Sequence, residues 1–314
     1  MVKKIANIRK FDPFDQATLY GYQKYFDLFV NLFKNKKLPK VNLISGRKGI
    51  GKSTFIFHLI NYFLSIDEND SYLLNKFSIN TNARSYKLIK ENVHPNYLLI
   101  EKSASSKFIE INQIRSMIKY LNLSTYNKNF RFIFLNDAEY LNPNSSNALL
   151  KILEETPNNT FFFLNFDKSS FLSDTIKSRS IEFNISFTSS EINDIFHLLK
   201  KEHFPDKAKE KYFTNIEETQ GIMINLLHLC EEFKIININN LRLLISELIS
   251  SYFKSKDKYY ARLSFLVVEN YFLELISKNP KNLNLYKKRK NILKNIFFMN
   301  LLNLDEKNVF NEIL

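Results

Sequence analysis

The residues of this sequence best suited to chemistry by type and spacing are Gly46, Gly49, Gly51, Lys52 and Ser53. They fall within Gly46-Arg47-Lys48-Gly49-Ile50-Gly51-Lys52-Ser53, a stretch of the form G-x-x-x-x-G-K-[ST]. Glycines at these places let backbone N–H groups turn inward around phosphate oxygens, and a helix that follows adds the partial positive charge of its N-terminus. The Lys52 ammonium suits β- and γ-phosphates, and the Ser53 hydroxyl suits Mg²⁺. Thr54, next in the chain, is counted with them as a nucleotide-binding residue. ATP or ADP with Mg²⁺ is therefore the expected ligand, held as a structural group if hydrolysis does not follow.

Hydrolysis needs an acidic partner at the end of a nearby strand, to hold Mg²⁺ and polarise the attacking water. The candidate stretch is Phe132-Ile133-Phe134-Leu135-Asn136-Asp137-Ala138-Glu139. An acid pair is expected there, but the first position is Asn136 and the second is Asp137. An amide brings no negative charge to a metal, and Asp is one methylene shorter than Glu toward a lytic water. Ser53 and Asp137 are the candidate Mg²⁺ ligands, in a site whose acidic half is weak.

The elements that must position these residues are legible in the hydrophobic pattern. Val41-Asn42-Leu43-Ile44-Ser45 reads as a strand entering the glycine loop, and Thr54 to Leu64 as a helix leaving it. A helix is expected from Tyr22 to Phe33, closed by Leu38-Pro39-Lys40. Segment 66–92 reads as a loop with helical pieces, and His94 to Glu101 opens a second strand. Ile111 to Leu121 is helical, Phe130 to Leu135 a buried strand, Asn144 to Glu155 a helix ended by Pro157. Thr160 to Asn165 is another buried strand, with Asn165 at its end, and Ile181-Glu182-Phe183 a short one. Strands alternating with helices through residue 185 imply a parallel sheet covered on both faces. Beyond it Thr188-Ser189-Ser190-Glu191 forms a capping box opening a helix to about Lys201. The rest reads as helical, through a pair spanning Lys209 to Phe233 and then from Asn240 onward, with Leu241, Leu244, Ile245 and Leu248 as one stripe and Pro280 as the last breaker.

A chain of 314 residues with 45% hydrophobic content can bury two or three cores. No run of apolar residues is long enough to span a bilayer, and the opening Met1 to Lys10 has basic residues but no apolar core or small-residue cleavage site. A cytoplasmic location without membrane contact is expected. The single Cys230, in an apolar helical stretch, excludes an internal disulfide and a thiolate zinc cluster, and suits a small core position. The net charge of +13 suits a polyanionic partner, but lysines are spread along a chain rich in Lys, Asn, Ile and Phe, a bias that an AT-rich genome also produces.

One stretch carries a specific resemblance. Leu141-Asn142-Pro143-Asn144-Ser145-Ser146-Asn147-Ala148-Leu149-Leu150-Lys151-Ile152-Leu153-Glu154-Glu155-Thr156-Pro157 resembles the helix after the acidic strand in bacterial DNA polymerase III clamp-loader subunits. Thr175-Ile176-Lys177-Ser178-Arg179-Ser180 resembles that family's Thr-Ile-x-Ser-Arg-Cys element, with Ser180 in place of Cys. Leu38-Pro39-Lys40 and His94-Pro95-Asn96 are similar to the delta-prime type in particular. The likeness covers roughly residues 10–185, and the helical remainder by architecture.

The resemblance implies a RecA-like AAA+ P-loop domain over 1–185, a small helical lid over 186–236 and an all-α collar for oligomerisation over 237–314. It implies that Arg179 acts in trans as an arginine finger in a neighbouring subunit's nucleotide site, and that Asn165 is a polar sensor near the γ-phosphate. Its partners would be the ATPase subunits and a delta-like subunit of a clamp loader, with the sliding clamp and primer-template DNA reached through the complex. Three departures point away from hydrolysis. The acidic strand end carries Asn136, no four-cysteine zinc module follows the P-loop helix, and Gly221-Ile222-Met223-Ile224-Asn225-Leu226-Leu227 lacks the family's γ-phosphate arginine. A stator subunit with little or no ATPase of its own is therefore expected. An ATP-hydrolysing motor subunit of the same loader is the alternative. A small-molecule P-loop kinase is more distant, because segment 66–92 supplies no arginine-rich acceptor lid.

Overall fold

Strand β1 (Val41–Gly46) is buried along its whole length and pairs in parallel with strands on both sides. In this computed structural model, which describes residues 12–103, 106–123, 130–205, 218–232, 241–255 and 258–302, the other strands are β2 (Tyr97–Ile100), β3 (Arg131–Leu135), β4 (Thr160–Asp167) and β5 (Ile181–Asn184). They form one parallel sheet in the order β2-β3-β4-β1-β5. The near-continuous apolar runs of β3 and β4 follow from burial on both faces.

Between the strands lie α1 (Gln23–Lys34, before β1), α2 (Lys52–Ser65), α3 (Arg84–Lys90), α4 (Ile111–Leu121), α5 (Pro143–Glu154) and α6 (Asp174–Lys177). Alternate strand residues feed two cores. Ile44, Phe132, Phe134 and Phe163 pack with Phe26, Phe29, Phe55 and Leu59 of α1 and α2. Leu43, Ile133, Leu135, Phe162 and Leu164 pack on the other face with Ile114, Met117, Leu149 and Leu153 of α4 and α5. Aromatic rings fill the first core, Phe33 on Phe63 at 4.3 Å and Phe63 on Phe132 at 5.4 Å between centroids. Burying each such ring contributes about 2 kcal/mol.

Helix ends are set by local chemistry. The Asn142 side chain accepts the Ser145 N–H at 2.9 Å and Pro143 opens α5, where a missing N–H costs nothing. Arg131, buried at the start of β3, donates to the carbonyls of Tyr120, Leu121 and Leu123 and so caps the C-terminal end of α4. The expected capping box is present at α7 (Ser189–His203). Thr188 N–H donates to Glu191 at 2.7 Å and Glu191 N–H donates to Thr188 Oγ1 at 3.3 Å. Segment 66–92 holds a short 3₁₀ turn and α3, close to the reading of a loop with helical pieces.

Most boundaries differ from the sequence reading by a residue or a few, and one of these differences bears on the site. Strand β4 runs past Asn165 to Asp167, because Phe166 and Asp167 still pair with Ser45 and Gly46. Asn165 is therefore inside the strand and not at its end.

Among the described residues, 12–199 with 219–221 form one compact unit, and those remaining from 200 onward form a second. The later helices are α8 (Gln220–Glu232), α9 (Leu241–Ser255), α10 (Lys258–Lys278) and α11 (Leu283–Leu302). Within the second unit Leu244, Ile245 and Leu248 of the expected stripe are buried, as is Cys230. Pro280 falls between α10 and α11, and Arg289 of α11 pairs with Glu269 of α10 at 2.9 Å. The expected helical stretch from Lys209 lies outside the described residues until 218.

Candidate functional site

Sheet order decides which residues can meet. Because β4 lies between β3 and β1, the ends of three adjacent strands face the glycine loop. Register places Asn165 beside Ile44 and Leu164 beside Leu135, so Asn136, the residue after β3, is level with Asn165. Ser53, Asn136, Asp137 and Asn165 thus come together, although up to 112 residues separate them in sequence.

The loop joins β1 to α2 with Gly51 as N-cap at φ 95°, a left-handed conformation that favours glycine. Lys52 begins the helix and is 5% exposed. Its ammonium donates to the carbonyls of Gly46 at 2.9 Å and Arg47 at 2.8 Å, so it lies across the loop. Burial lowers the Lys52 pKa to about 8, against the opposing pull of Asp167, Glu139 and Asp137. Burial also raises the Glu139 carboxyl, whose Oε2 accepts the Asp167 N–H at 3.3 Å.

Three consecutive loop carbonyls are held from outside by three consecutive residues at the start of α8. Thr219 Oγ1 donates to Lys48 O at 2.9 Å, Gly221 N–H to Gly49 O at 2.9 Å, and Gln220 Nε2 to Ile50 O at 2.6 Å. Tyr22 OH also donates to Ile50 O, at 2.9 Å. Fixing these carbonyls limits how the intervening peptide groups can turn. A Cβ on Gly221 would lie 2.6 Å from Gly49 O, so only glycine permits this approach. Tyr22, Thr219 and Gln220 were not singled out in the sequence. Their role depends on contacts about 28 to 171 residues distant, which no local spacing reveals.

Beneath the loop, Ser53 Oγ donates to Asn136 Oδ1 at 2.9 Å. Asn165 Nδ2 lies within 2.9 Å of Ser53 Oγ, 2.8 Å of Asn136 Oδ1 and 3.2 Å of Asp137 Oδ1. Asn136 Nδ2 reaches Glu101 Oε2 at 3.4 Å. Asn165 is 4% exposed, and its own Oδ1 has no hydrogen-bond partner among the described residues. Its amide orientation follows from its neighbours, since the reverse would set three oxygens against one another. Of the expected Mg²⁺ ligands, Ser53 and Asp137 are therefore both near the Asn165 amide nitrogen, and a donor nitrogen among the oxygens does not fit a divalent cation.

Arg179, just beyond α6, is not part of this cluster. Its Nε donates to Glu154 Oε1 at 2.8 Å and its Nη1 to Thr175 O at 3.1 Å, with its side chain about one-third exposed.

A sequence profile described as "DNA polymerase III, delta subunit" matches residues 21–189. The chain belongs to this family. Within curated relatives it is 27% identical over 240 residues to the DNA polymerase III subunit gamma of Buchnera aphidicola subsp. Schizaphis graminum, covering 75% of this chain and 62% of that one. It is 31% identical over 100 residues to the delta' subunit of Pseudomonas aeruginosa, covering 32% of this chain and 30% of that one. The delta-family chain thus spans less than two thirds of the length of these relatives. Among solved structures, a DNA polymerase III gamma subunit-related protein from Thermotoga maritima matches with TM-score 0.50 at 20% identity, covering 91% of this chain and 96% of that one. That likeness shows a shared fold.

Proposed function

We propose that this chain is a delta-prime-like stator of the DNA polymerase III clamp loader. It takes ATP or ADP in its loop as a fixed ligand and turns over little of it. Asn136 carries this reading. It stands where hydrolysis needs a carboxylate, and its Oδ1 is engaged by Ser53 and Asn165. Asp137 accepts from Asn165 through Oδ1 and is one methylene shorter than a Glu, so its reach toward an attacking water is reduced. The gamma relative raises the motor reading, which the complete glycine loop also favours, but neither feature restores the missing charge.

In this reading the lid spans 186–236 and the collar 237–314. The collar assembles with the ATPase and delta-like subunits, and the complex loads the sliding clamp on primer-template DNA in the cytoplasm. Arg179 is donated to the adjacent subunit's nucleotide, where a guanidinium stabilises the charge of the transferring phosphoryl group. Its partial exposure and its single surface ion pair support that role, because such a pair costs at most about 1 kcal/mol to break.

The test is the ATPase of a reconstituted loader carrying Arg179→Ala. A fall of at least about tenfold is expected. Unchanged turnover in an intact complex would remove the finger role, and rapid turnover by the isolated chain would favour the motor reading.

A further inference from the structure

The oxygens of Ser53, Asn136 and Asp137 are those that a divalent cation beneath a phosphate loop would draw on. Here the amide nitrogen of Asn165 lies at 2.9, 2.8 and 3.2 Å from them. An amide N–H group carries partial positive charge, so Asn165 already supplies the attraction that these oxygens would otherwise offer a metal. It also places a donor where a cation would meet repulsion. Asn136 adds no charge of its own, and its Oδ1 accepts from both Ser53 and Asn165. Mg²⁺ prefers near-octahedral oxygen coordination and gives up its waters reluctantly, so it gains little from a neutral amide pair.

From this geometry we infer that the loop takes its nucleoside di- or triphosphate without a divalent cation. This rests on the nucleotide-binding reading above and makes it specific. The phosphate charge is met by protein groups alone. These are the Lys52 ammonium at the start of α2, the loop's own Arg47 and Lys48, and the N–H groups of the loop and the α2 N-terminus. Lys52 needs only to exchange the Gly46 and Arg47 carbonyls for phosphate oxygens. Ligand exchange of this kind leaves the Ser53–Asn136–Asn165 cluster intact, whereas metal binding would have to break it.

The experiment titrates the full chain with a fluorescent ADP analogue in excess EDTA and again in millimolar Mg²⁺. The wild-type dissociation constants are expected to agree within about threefold. Binding at least about tenfold tighter in Mg²⁺ would overturn the inference while leaving nucleotide binding itself in place. No binding in either buffer would overturn the nucleotide reading and the inference with it. Asn136→Asp supplies the second arm, since it restores the carboxylate with almost no change of shape. This variant is expected to become Mg²⁺-dependent by about tenfold. If its binding stays indifferent to the cation, Asn136 is not what excludes the metal. Thermal unfolding of both proteins with ADP, in EDTA and in Mg²⁺, reads the same difference as a shift in midpoint and confirms that the variant is folded.

Discussion

Lys52 loses its proton more readily than an ordinary lysine because burial disfavours its charge, and its pKa of about 8 makes the loop pH-sensitive. The protonated form is the one that attracts phosphate. Nucleotide affinity is therefore expected to be full only well below pH 8, to be about halved near pH 8 and to fall by up to about tenfold at pH 9. Equilibrium titrations at pH 7 and pH 9 check this, and Lys52→Ala should flatten the profile. The same shift acts on stability with its own sign. The unfolded chain holds the Lys52 proton up to the ordinary value of 10.5, so the residue's contribution to stability rises with pH between 8 and 10.5. At Arg179 the ion pair to Glu154 lies at the surface, so Glu154→Gln is expected to change the free energy of unfolding by less than about 1 kcal/mol, as read by urea titration. A larger loss would mean that the pair fixes the fold locally instead of merely parking the arginine. The loop residues were legible at this scale because phosphate binding is done by contiguous backbone. Asn165 was legible as a sensor candidate only through the family resemblance, and the three oxygens around its nitrogen were not legible at all.

The start of α8 and the glycine loop act as one element, although they are far apart in sequence. Gly221→Ala would drive a Cβ into Gly49 O at 2.6 Å, and neither partner is a flexible side chain that can swing away. A loss of about 1–3 kcal/mol is expected in urea unfolding, with weaker nucleotide binding beside it. Gln220→Ala should cost less, about 1 kcal/mol, because Tyr22 OH also donates to the Ile50 carbonyl. Tyr22→Phe should then cost more in the Gln220→Ala background than alone, and equal costs would show that Tyr22 does not back up Gln220 at this carbonyl. Most element boundaries followed from the hydrophobic period and from caps such as Asn142 and Thr188. The extension of β4 to Asp167 did not, because it depends on pairing with Ser45 and Gly46 and not on its own residues.

Across the first unit, two histidines are kept neutral by burial. His58 lies with Nδ1 2.8 Å from Tyr72 OH and Nε2 2.9 Å from Gln16 O, and its pKa falls to about 4. His94 is half-buried, and burial brings it to about 4 as well. In the unfolded chain both take up a proton near 6.5, so their stability contribution is full above pH 6.5 and is lost as the pH falls from 6.5 to 4. Thermal midpoints at pH 7 and pH 5 should differ by several degrees, about 4 °C or more. A midpoint unchanged across that window would contradict the buried neutral state. Substituting His58 is not a clean control, since its loss would also remove the buried contact at 2.8 Å to the Tyr72 hydroxyl.

By itself the sequence determined the phosphate loop, the alternation of strand and helix that makes a parallel sheet, and the amide at position 136 in place of an acid. These depend on neighbouring residues or on a repeat along one segment, so a linear reading contains them. Only the tertiary structure decided that Asn165 stands among the oxygens of Ser53, Asn136 and Asp137, and that Thr219 to Gly221 fasten the loop. Strand order and register created those contacts by setting β4 between β3 and β1. No local pattern encodes which strands lie side by side, because that choice is made by the packing of the two cores on either face of the sheet.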